Sequence, residues 1–354
     1  MRSRPRRRRG PLRILWLVLR EIVRLSIFNL AILAGMQVLS IRYPYLAIFG
    51  NAAPQAAVLT ACFALVALLL RLRVWALVAL AIAVGNTILV APHLNYGEDP
   101  PGDGSPPLRV MAWNVWSRNE DYAQAAAYLR ATHPDVVGLV EATPAWNSAL
   151  ATQVGDLYPY RIEDVDTYRD GQIMILSRLP FERSWIGPLL PATQQIGWVA
   201  LQWQGRPLVI VVTHLKSVNY QASKSELAAI GAQGIDTVSM QNLGRAQQVD
   251  AALVLHALAG LPADLVVMGD FNGAPWSRPY HQLAAGAGLD DRRQFLMTYP
   301  AWLPPVLRAP IDHILGRGEI AVTHLATGPG LGSDHLPVLA DLVWRKKDGA
   351  AERN

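Results

Sequence analysis

One cysteine in 354 residues, Cys62, excludes any disulfide within the chain, so the fold rests on packing alone and cysteine usage does not identify a compartment. Acid is equally scarce at one end. Residues 1–92 carry a single carboxylate, Glu21, against 12 Lys/Arg, a net charge of +11. Residues 93–354 carry 20 Lys/Arg and 26 Asp/Glu, a net charge of −6. The overall +5 and the pI of 9.4 therefore describe an N-terminal arm and exclude a chain that is basic throughout. Charge of either sign is missing from 56–70 and 74–92, which are separated only by the Arg71, Leu72, Arg73 turn. With 51% apolar residues and a mean hydropathy of +0.19, the chain is too apolar for a wholly water-exposed protein.

What is present begins with "MRSRPRRRRGPLR", which alone fits a nucleic-acid tail, a twin-arginine export signal or a cytoplasmic anchor. Three apolar stretches follow, 25–41, 56–70 and 74–92, each close to the roughly 20 residues that cross a hydrocarbon core once the flanks of the first two are included. A cleaved signal peptide has one such region and then stops. Three spans have odd parity. Keeping basic residues inside places 2–13 and 71–73 in the cytoplasm and everything after about residue 93 outside it. Residues 12–24 mix apolar and basic positions and are expected to lie along the inner surface. The expected organisation is a basic cytoplasmic arm and interfacial helix (1–24), a three-helix transmembrane anchor (25–92), a Pro/Gly/acid-rich linker (93–107), a catalytic domain (108–345) and a polar tail (346–354). The expected location is a bacterial inner (plasma) membrane, with the catalytic domain extracytoplasmic.

After the linker the pattern changes. Strand-like runs occupy 108–115, 135–141, 172–178, 198–203, 207–215, 264–272, 311–315, 319–326 and 335–344, and helical spacing occupies 123–131 and 243–258. Many strands and fewer helices over about 250 residues suggest one α/β unit, two sheets face to face with helices outside. Polar groups recur where apolar runs end: Asn114, Glu141, His214, Asp270, Asn272, Asp312, Asp334 and His335. Each alone reads as a strand-terminating residue. Together, on one rim, they supply oxygen ligands for a hard cation, amide donors and two histidines.

In order, "WNV", "VE", "THL", "GDFN", "IDHI" and "SDHLPV" resemble the endonuclease/exonuclease/phosphatase superfamily, which includes DNase I, apurinic endonucleases, inositol polyphosphate 5-phosphatases and neutral sphingomyelinases. The resemblance spans about 108–344 and implies a DNase I-like four-layer α/β sandwich, here preceded by three transmembrane helices, with its active site at one rim. It implies a Mg²⁺ or Mn²⁺ cofactor held by Glu141, with Asn114 beside it and Asp334 closing the site. It further implies that Asp270 and Asn272 orient the attacking water and the phosphoryl group. His335, held by Asp312, serves as general base or transition-state donor, and His214 hydrogen-bonds a non-bridging or leaving oxygen. The arrangement of spans and domain is similar to VanJ-type proteins, for which an outward-facing lipid phosphatase role has been proposed.

Other polar residues carry weaker signals. His313, adjacent to Asp312 on a strand, should face away from it and serve structure; His133 in "THPD" reads as a helix-to-strand turn, and His281 and His324 have no motif. Lys216 and Arg245 read either as contacts for a second anionic group of a substrate or as solvated surface residues, and 217–241 reads as a lid, a membrane-facing loop or a surface insertion. Three functions follow: a tethered phosphoesterase acting on lipid-linked or small phosphoesters, a tethered nuclease, and an inactive binding module. The intact motifs disfavour the last, and the net −6 lowers the nuclease. The expected partners are the lipid bilayer and a phosphorylated lipid or other phosphoester, then nucleic acid, with no obligate protein partner.

Overall fold

A computed structural model describes residues 10–40, 46–94, 98–164, 172–189, 195–216, 246–290 and 294–346. The arginine run, Arg245, segment 217–241 and the 347–354 tail lie outside them. Continuous apolar sequence satisfies its backbone internally by forming helices, and the N-terminal part does so: α1 (Pro11–Leu39), the short α2 (Ala47–Gly50), α3 (Ala53–Leu69) and α4 (Arg73–Val90). A 3₁₀ turn, Ala91–His93, prolongs α4. Helices α3 and α4 form a hairpin closed by small residues, Ala56, Ala67, Ala76, Ala79 and Ala83, which let the backbones approach closely. Val23 and Ile27 of α1 add to that seam, while Leu25, Phe28, Leu65, Leu77 and Ile88 point outward and stay exposed.

Two differences from the sequence reading appear here. Helix α1 runs unbroken through residue 24, so the stretch read as a separate interfacial helix and the first apolar stretch are one element. Among the described residues, two helices, Pro11–Leu39 and Arg73–His93, are long and apolar enough to cross a membrane; α3, at 17 residues, is shorter than that measure.

The rest of the chain builds a mixed α/β sandwich from β1 (Leu108–Asn114), α5 (Tyr122–Thr132), β2 (Val136–Val140), α6 (Pro144–Val154), β3 (Tyr160–Asp164), β4 (Ile173–Ser177), β5 (Arg183–Pro188), β6 (Gln195–Trp203), β7 (Arg206–His214), α7 (Ala246–Ala259), β8 (Leu265–Asp270), α8 (Arg278–Ala287), β9 (Asp312–Arg317), β10 (Ile320–Thr327) and β11 (Val338–Trp344). One sheet has the order β10-β11-β1-β2-β4-β3 and the other β5-β6-β7-β8-β9. Each contains one parallel pair, β1 with β2 and β7 with β8; the other pairings are antiparallel. Val110, Val140, Ile175, Ile210, Val212 and Met268 fill the space between the sheets. Helices α5 and α6 cover the outer face of the first sheet through Leu129, Trp146 and Leu150, and α7 and α8 cover the second through Val254, Leu258, Tyr280 and Leu283. Gly138 faces the second sheet with no room for a side chain: a Cβ there would lie 2.5 Å from Val212 Cγ2.

The elements absent from the sequence reading are β3, β5, α6 and α8. Strands β3 and β5 are sheet edges with largely exposed side chains, so they have no apolar run to betray them. Helices α6 and α8 carry Pro at the start and bury only a narrow stripe, Trp146, Leu150 and Val154 in one and Tyr280, Leu283, Ala284 and Ala287 in the other.

The linker is pinned rather than free. Asp103 N–H donates to the Trp344 carbonyl, and Lys346 N–H donates to the Pro101 carbonyl. The helical block also bonds directly to the sandwich. Trp276 Nε1 donates to the Gly50 carbonyl at 2.7 Å, and Ala274 N–H donates to Asn51 Oδ1 at 3.1 Å. Gln55 Nε2 donates to the carbonyls of Val306 at 3.0 Å and Arg308 at 2.8 Å. Ala53, Val90, Ala274 and Trp276 form a small apolar core across the same junction.

Candidate active site

Strand direction explains why distant residues share one rim. In the parallel pairs, the C-terminal ends of β1, β2, β7 and β8 lie together and carry Asn114, Glu141, His214 and Asp270. Strand β9 runs antiparallel to β8, so its first residue, Asp312, stands opposite Asp270 in register. Strand β11 runs antiparallel to β1, with Val338 opposite Ala112, which brings the preceding Asp334 and His335 to the same rim. Gly269, before Asp270, has φ +136°, and a Cβ there would lie 2.0 Å from the Thr213 carbonyl oxygen; the glycine of "GDFN" is a steric requirement.

All eight residues read from the sequence meet here. Asn114 Nδ2 donates to Glu141 Oε1 at 2.8 Å and Asp270 Oδ2 at 3.1 Å, tying the two sheets together across the site. Its Oδ1 accepts the Trp116 N–H, and Ser117 N–H donates to Glu141 Oε2. Asn272 Nδ2 lies 3.2 Å from His214 Nε2 and donates to the Leu215 carbonyl at 2.8 Å. His214 Nε2 is 3.6 Å from Asp270 Oδ2 and 3.9 Å from Glu141 Oε1. His335 Nδ1 is 2.9 Å from Asp312 Oδ2, and its Nε2 is 3.7 Å from Asp270 Oδ2. Glu141 and Asn272 both adopt left-handed backbone, φ 59° and 49°, one and two residues past a parallel strand. Strained non-glycine positions of this kind persist where surrounding structure holds a side chain in a required direction.

The electrostatics follow from burying charge. Burial raises Asp270 to about 6; Asp312 adds to the rise, and His335 and His214 oppose it. Burial alone would lower His335, but the negative charges of Asp312, Asp270 and Asp334 outweigh it and hold the imidazole up to about 10. Burial also raises Asp334, with neighbouring Glu141 adding to the rise and His335 opposing it. Asp334 Oδ1 is buried with no hydrogen-bond partner among the described residues. Two carboxyls close enough to repel, one with an orphaned oxygen, fit a divalent cation held by hard oxygen ligands.

A second grouping is geometrically possible, because ligand atoms of Asp270, Asp312 and His335 lie within 4.8 Å of one another. Its Asp312 and His335 already satisfy each other and all three are buried, whereas Glu141 has 21% of its side chain exposed. Glu141, more open than these three, lies on the side of the site that also holds Asp334.

Sequence reading missed Tyr299, Ser333 and Trp113. The Tyr299 ring lies 4.7 Å from that of His335. Ser333 Oγ donates to the Asn114 carbonyl and accepts the His335 N–H, and Trp113 Nε1 donates to the His335 carbonyl. Ser333 and Trp113 sit inside quoted motifs and could have been found there; Tyr299 belongs to no pattern. The weaker candidates fall elsewhere. His313 is fully buried and 3.0 Å from the Gly273 carbonyl, His133 caps α5 in left-handed conformation, and His324 is exposed beside Asp99 and Asp341. Lys216 is buried rather than open to the rim, and its N–H donates to Asp250. His281 is exposed near His93. A cavity of about 680 Å³ between α1, α4 and the start of α8 contains none of the eight residues.

A fold of two sheets between helices, with carboxylates and imidazoles meeting at one rim, suits the metal-assisted hydrolysis of phosphoester bonds. Over residues 111–335 the chain matches the Endonuclease/Exonuclease/phosphatase family, and it belongs to that family. It is accordingly a hydrolase of phosphoester bonds that depends on a divalent metal. No curated protein matches the sequence. Three solved structures show the same fold. A humanized D. rerio TDP2 shares 19% identity with a TM-score of 0.50, over 67% of this chain and 99% of that one. A functionally unknown protein from Enterococcus faecalis V583 shares 13% with a TM-score of 0.52, over 67% and 99%. An endonuclease/exonuclease/phosphatase from Bacteroides vulgatus shares 16% with a TM-score of 0.51, over 68% and 100%.

Proposed function

We propose that this chain is a membrane-anchored phosphoesterase that hydrolyses phosphate ester or pyrophosphate bonds of lipid-linked substrates at the extracytoplasmic face. One observation carries the reading. The rim that bears the site is the rim bonded to the apolar helices: Ala274 and Trp276 follow Asn272 by two and four residues, and they hold Asn51 and Gly50. The C-terminal end of α1, the N-terminal end of α3 and the C-terminal end of α4 lie on that side, and the Arg71 and Arg73 turn lies at the other end of the hairpin. With the arginines cytoplasmic, this arrangement supports a three-pass anchor in which the shorter α3 also spans, and a site facing headgroups. Lipid turnover is the role suggested by the resemblance to VanJ-type proteins.

Glu141 and Asp334 would hold the cation, Mg²⁺ or Mn²⁺. Asn114 orients Glu141, since its Oδ1 is engaged by Trp116 and its Nδ2 points at both carboxylates. When bound, the cation supplies charge neutralisation at a phosphate oxygen. Asp270, fixed by the Asn272 N–H, faces the space where water attacks phosphorus. His335 presents Nε2 to the same space, with Nδ1 anchored on Asp312, and donates to phosphate oxygen. His214 and Asn272 hold a further oxygen. Positioning and charge stabilisation suffice, and no protein nucleophile is required.

A tethered nuclease is the second reading, favoured by the family's breadth and disfavoured by the net −6 of residues 93–354. The deciding experiment compares initial rates of one full-chain preparation on phospholipid or polyprenyl pyrophosphate vesicles and on duplex DNA at physiological salt. Efficient DNA cleavage without lipid turnover overturns the proposal.

A further inference from the structure

Soluble domains bury large apolar side chains or scatter them singly, and a contiguous exposed group marks a surface that something covers. Among the described residues of the sandwich, the large hydrophobics left most exposed are Trp302 at 68%, Val306 at 73% and Leu307 at 54%; Tyr160 and Trp185 follow at 39% each. The first three share the loop 299–309.

That loop is rigid. Tyr299 and Ala309 exchange backbone hydrogen bonds at its base, and Thr298 N–H also donates to the Ala309 carbonyl. A 3₁₀ turn, Pro305–Leu307, shapes its tip. The Arg308 guanidinium fastens it from within, Nε donating to the Leu303 carbonyl and Nη2 to the Ala301 carbonyl, both at 2.8 Å. Its apolar side chains are therefore held outward by polar bonds beneath them.

Position identifies what covers it. Gln55, two residues past the start of α3, holds the Val306 and Arg308 carbonyls. Val58 and Leu59, at 67% and 47% exposure, follow on the same helix, and Ile48 on α2 is 44% exposed. The loop thus extends the apolar surface of the anchor at the level where α3 begins, and a tryptophan at that level matches the residue type that favours membrane interfaces.

Resting on the membrane-anchored reading above, we propose that loop 299–309 seats Trp302, Val306 and Leu307 in the outer interface of the bilayer, and that lipid substrates enter the site beneath it. The loop is joined to the site at two points. The Tyr299 ring contacts His335, and Ala301 N–H donates to the Asp334 carbonyl at 2.7 Å. Seating the loop turns the open side of Glu141 and Asp334 toward headgroups, so a membrane-borne phosphoester is hydrolysed faster than the same bond in a soluble molecule.

The test uses the full chain in lipid nanodiscs, with Cys62→Ala as background and a fluorophore attached through either Val306→Cys or, on an exposed position of β6, Gln202→Cys. Lipids brominated near the headgroup should quench the Val306→Cys label and leave the Gln202→Cys label to aqueous iodide. A Val306→Cys label quenched by iodide alone, or shielded from both quenchers as a protein partner would shield it, overturns the proposal. Independently, Val306→Glu with Leu307→Glu should slow turnover of vesicle-borne substrate about tenfold or more while leaving bis-p-nitrophenyl phosphate hydrolysis unchanged. Equal loss on both substrates, or loss on neither, overturns it. If the unsubstituted chain cleaves bis-p-nitrophenyl phosphate but no lipid, the lipid-substrate reading fails, and the quenching result still decides the seating of the loop.

Discussion

His335 Nδ1 stands 2.9 Å from Asp312 Oδ2 and 3.1 Å from Asp312 Oδ1, in a site where both side chains are almost wholly shielded from water. The carboxylate fixes the ring's direction and leaves Nε2 facing Asp270. Asp312→Asn keeps the size and removes the charge that holds the imidazole protonated. It should lower kcat on bis-p-nitrophenyl phosphate by about 10² to 10⁴-fold with little change in KM. Circular dichroism should stay near the parent spectrum, and the unfolding midpoint should fall, because the buried imidazolium loses its partner.

Glu141→Gln preserves shape and its bond from Asn114 while removing one cation-binding charge. Activity should fall by about two orders of magnitude or more. The stabilisation of the purified chain by added Mg²⁺ or Mn²⁺, read as a thermal shift, should shrink or disappear. An undiminished metal-dependent shift would move the cation seat to Asp270, Asp312 and His335.

Gly138→Ala tests the spacing between the sheets. The added methyl would meet Val212 Cγ2 at 2.5 Å and Met268 Cε at 2.8 Å, deep between β2 and the second sheet. Overpacking of this kind should cost about 1–3 kcal/mol in denaturant unfolding. Activity should fall as well, because Asn114 and Asp270 bond across the same gap.

His313 makes stability depend on pH. Burial lowers its pKa to about 4; the Gly273 carbonyl and Asp312 oppose that fall and His93 adds to it. The unfolded chain takes up the proton near 6.5, so this contribution is complete above about 6.5 and is lost as pH falls toward 4. The loss should reach about 2 kcal/mol by pH 4.5. His313→Gln should flatten that part of the stability profile relative to the parent, measured by denaturant midpoints at a series of pH values. The ring packs against Phe271 and Tyr280, so His313→Ala should be costly to the fold while leaving the reacting groups in place.

Topology is tested by a reporter fused after Asn354 and by protease added to intact spheroplasts. A reporter that works only outside the cytoplasm should be active, and the sandwich should be digested. Cytoplasmic reporter activity would reverse the orientation and favour intracellular substrates.

The gathering of the eight residues at one rim was legible because each stands at or beside one end of an apolar strand inside a short motif, and the central strands were legible because they are buried on both faces. Edge strands β3 and β5 lacked that signal, since one face and one set of backbone groups remain open to solvent. Tyr299 was invisible because its place beside His335 depends on a loop closed by long-range bonds. The same holds for Gln55: its partners are 251 and 253 residues away in sequence, and no local pattern records such a pairing. The continuity of α1 was obscured by Arg13, Arg20, Glu21 and Arg24, charges that a helix carries without breaking.

The brevity of α3 acquires meaning from Gln55. At 17 residues the helix is about 25 Å long, less than a typical hydrocarbon thickness of about 30 Å. Arg71 and Arg73 follow its C-terminal end, and its N-terminal end is bonded to loop 299–309. In the proposed orientation, α3 acts as a spacer that draws the catalytic rim down into the headgroup layer. Bilayer thickness would then control turnover in that orientation: thin membranes would bring phosphates level with Glu141 and His335, and thick ones would submerge the rim. One extra helical turn in α3 would lift it by about 5 Å, enough to separate enzyme and substrate that remain in the same membrane.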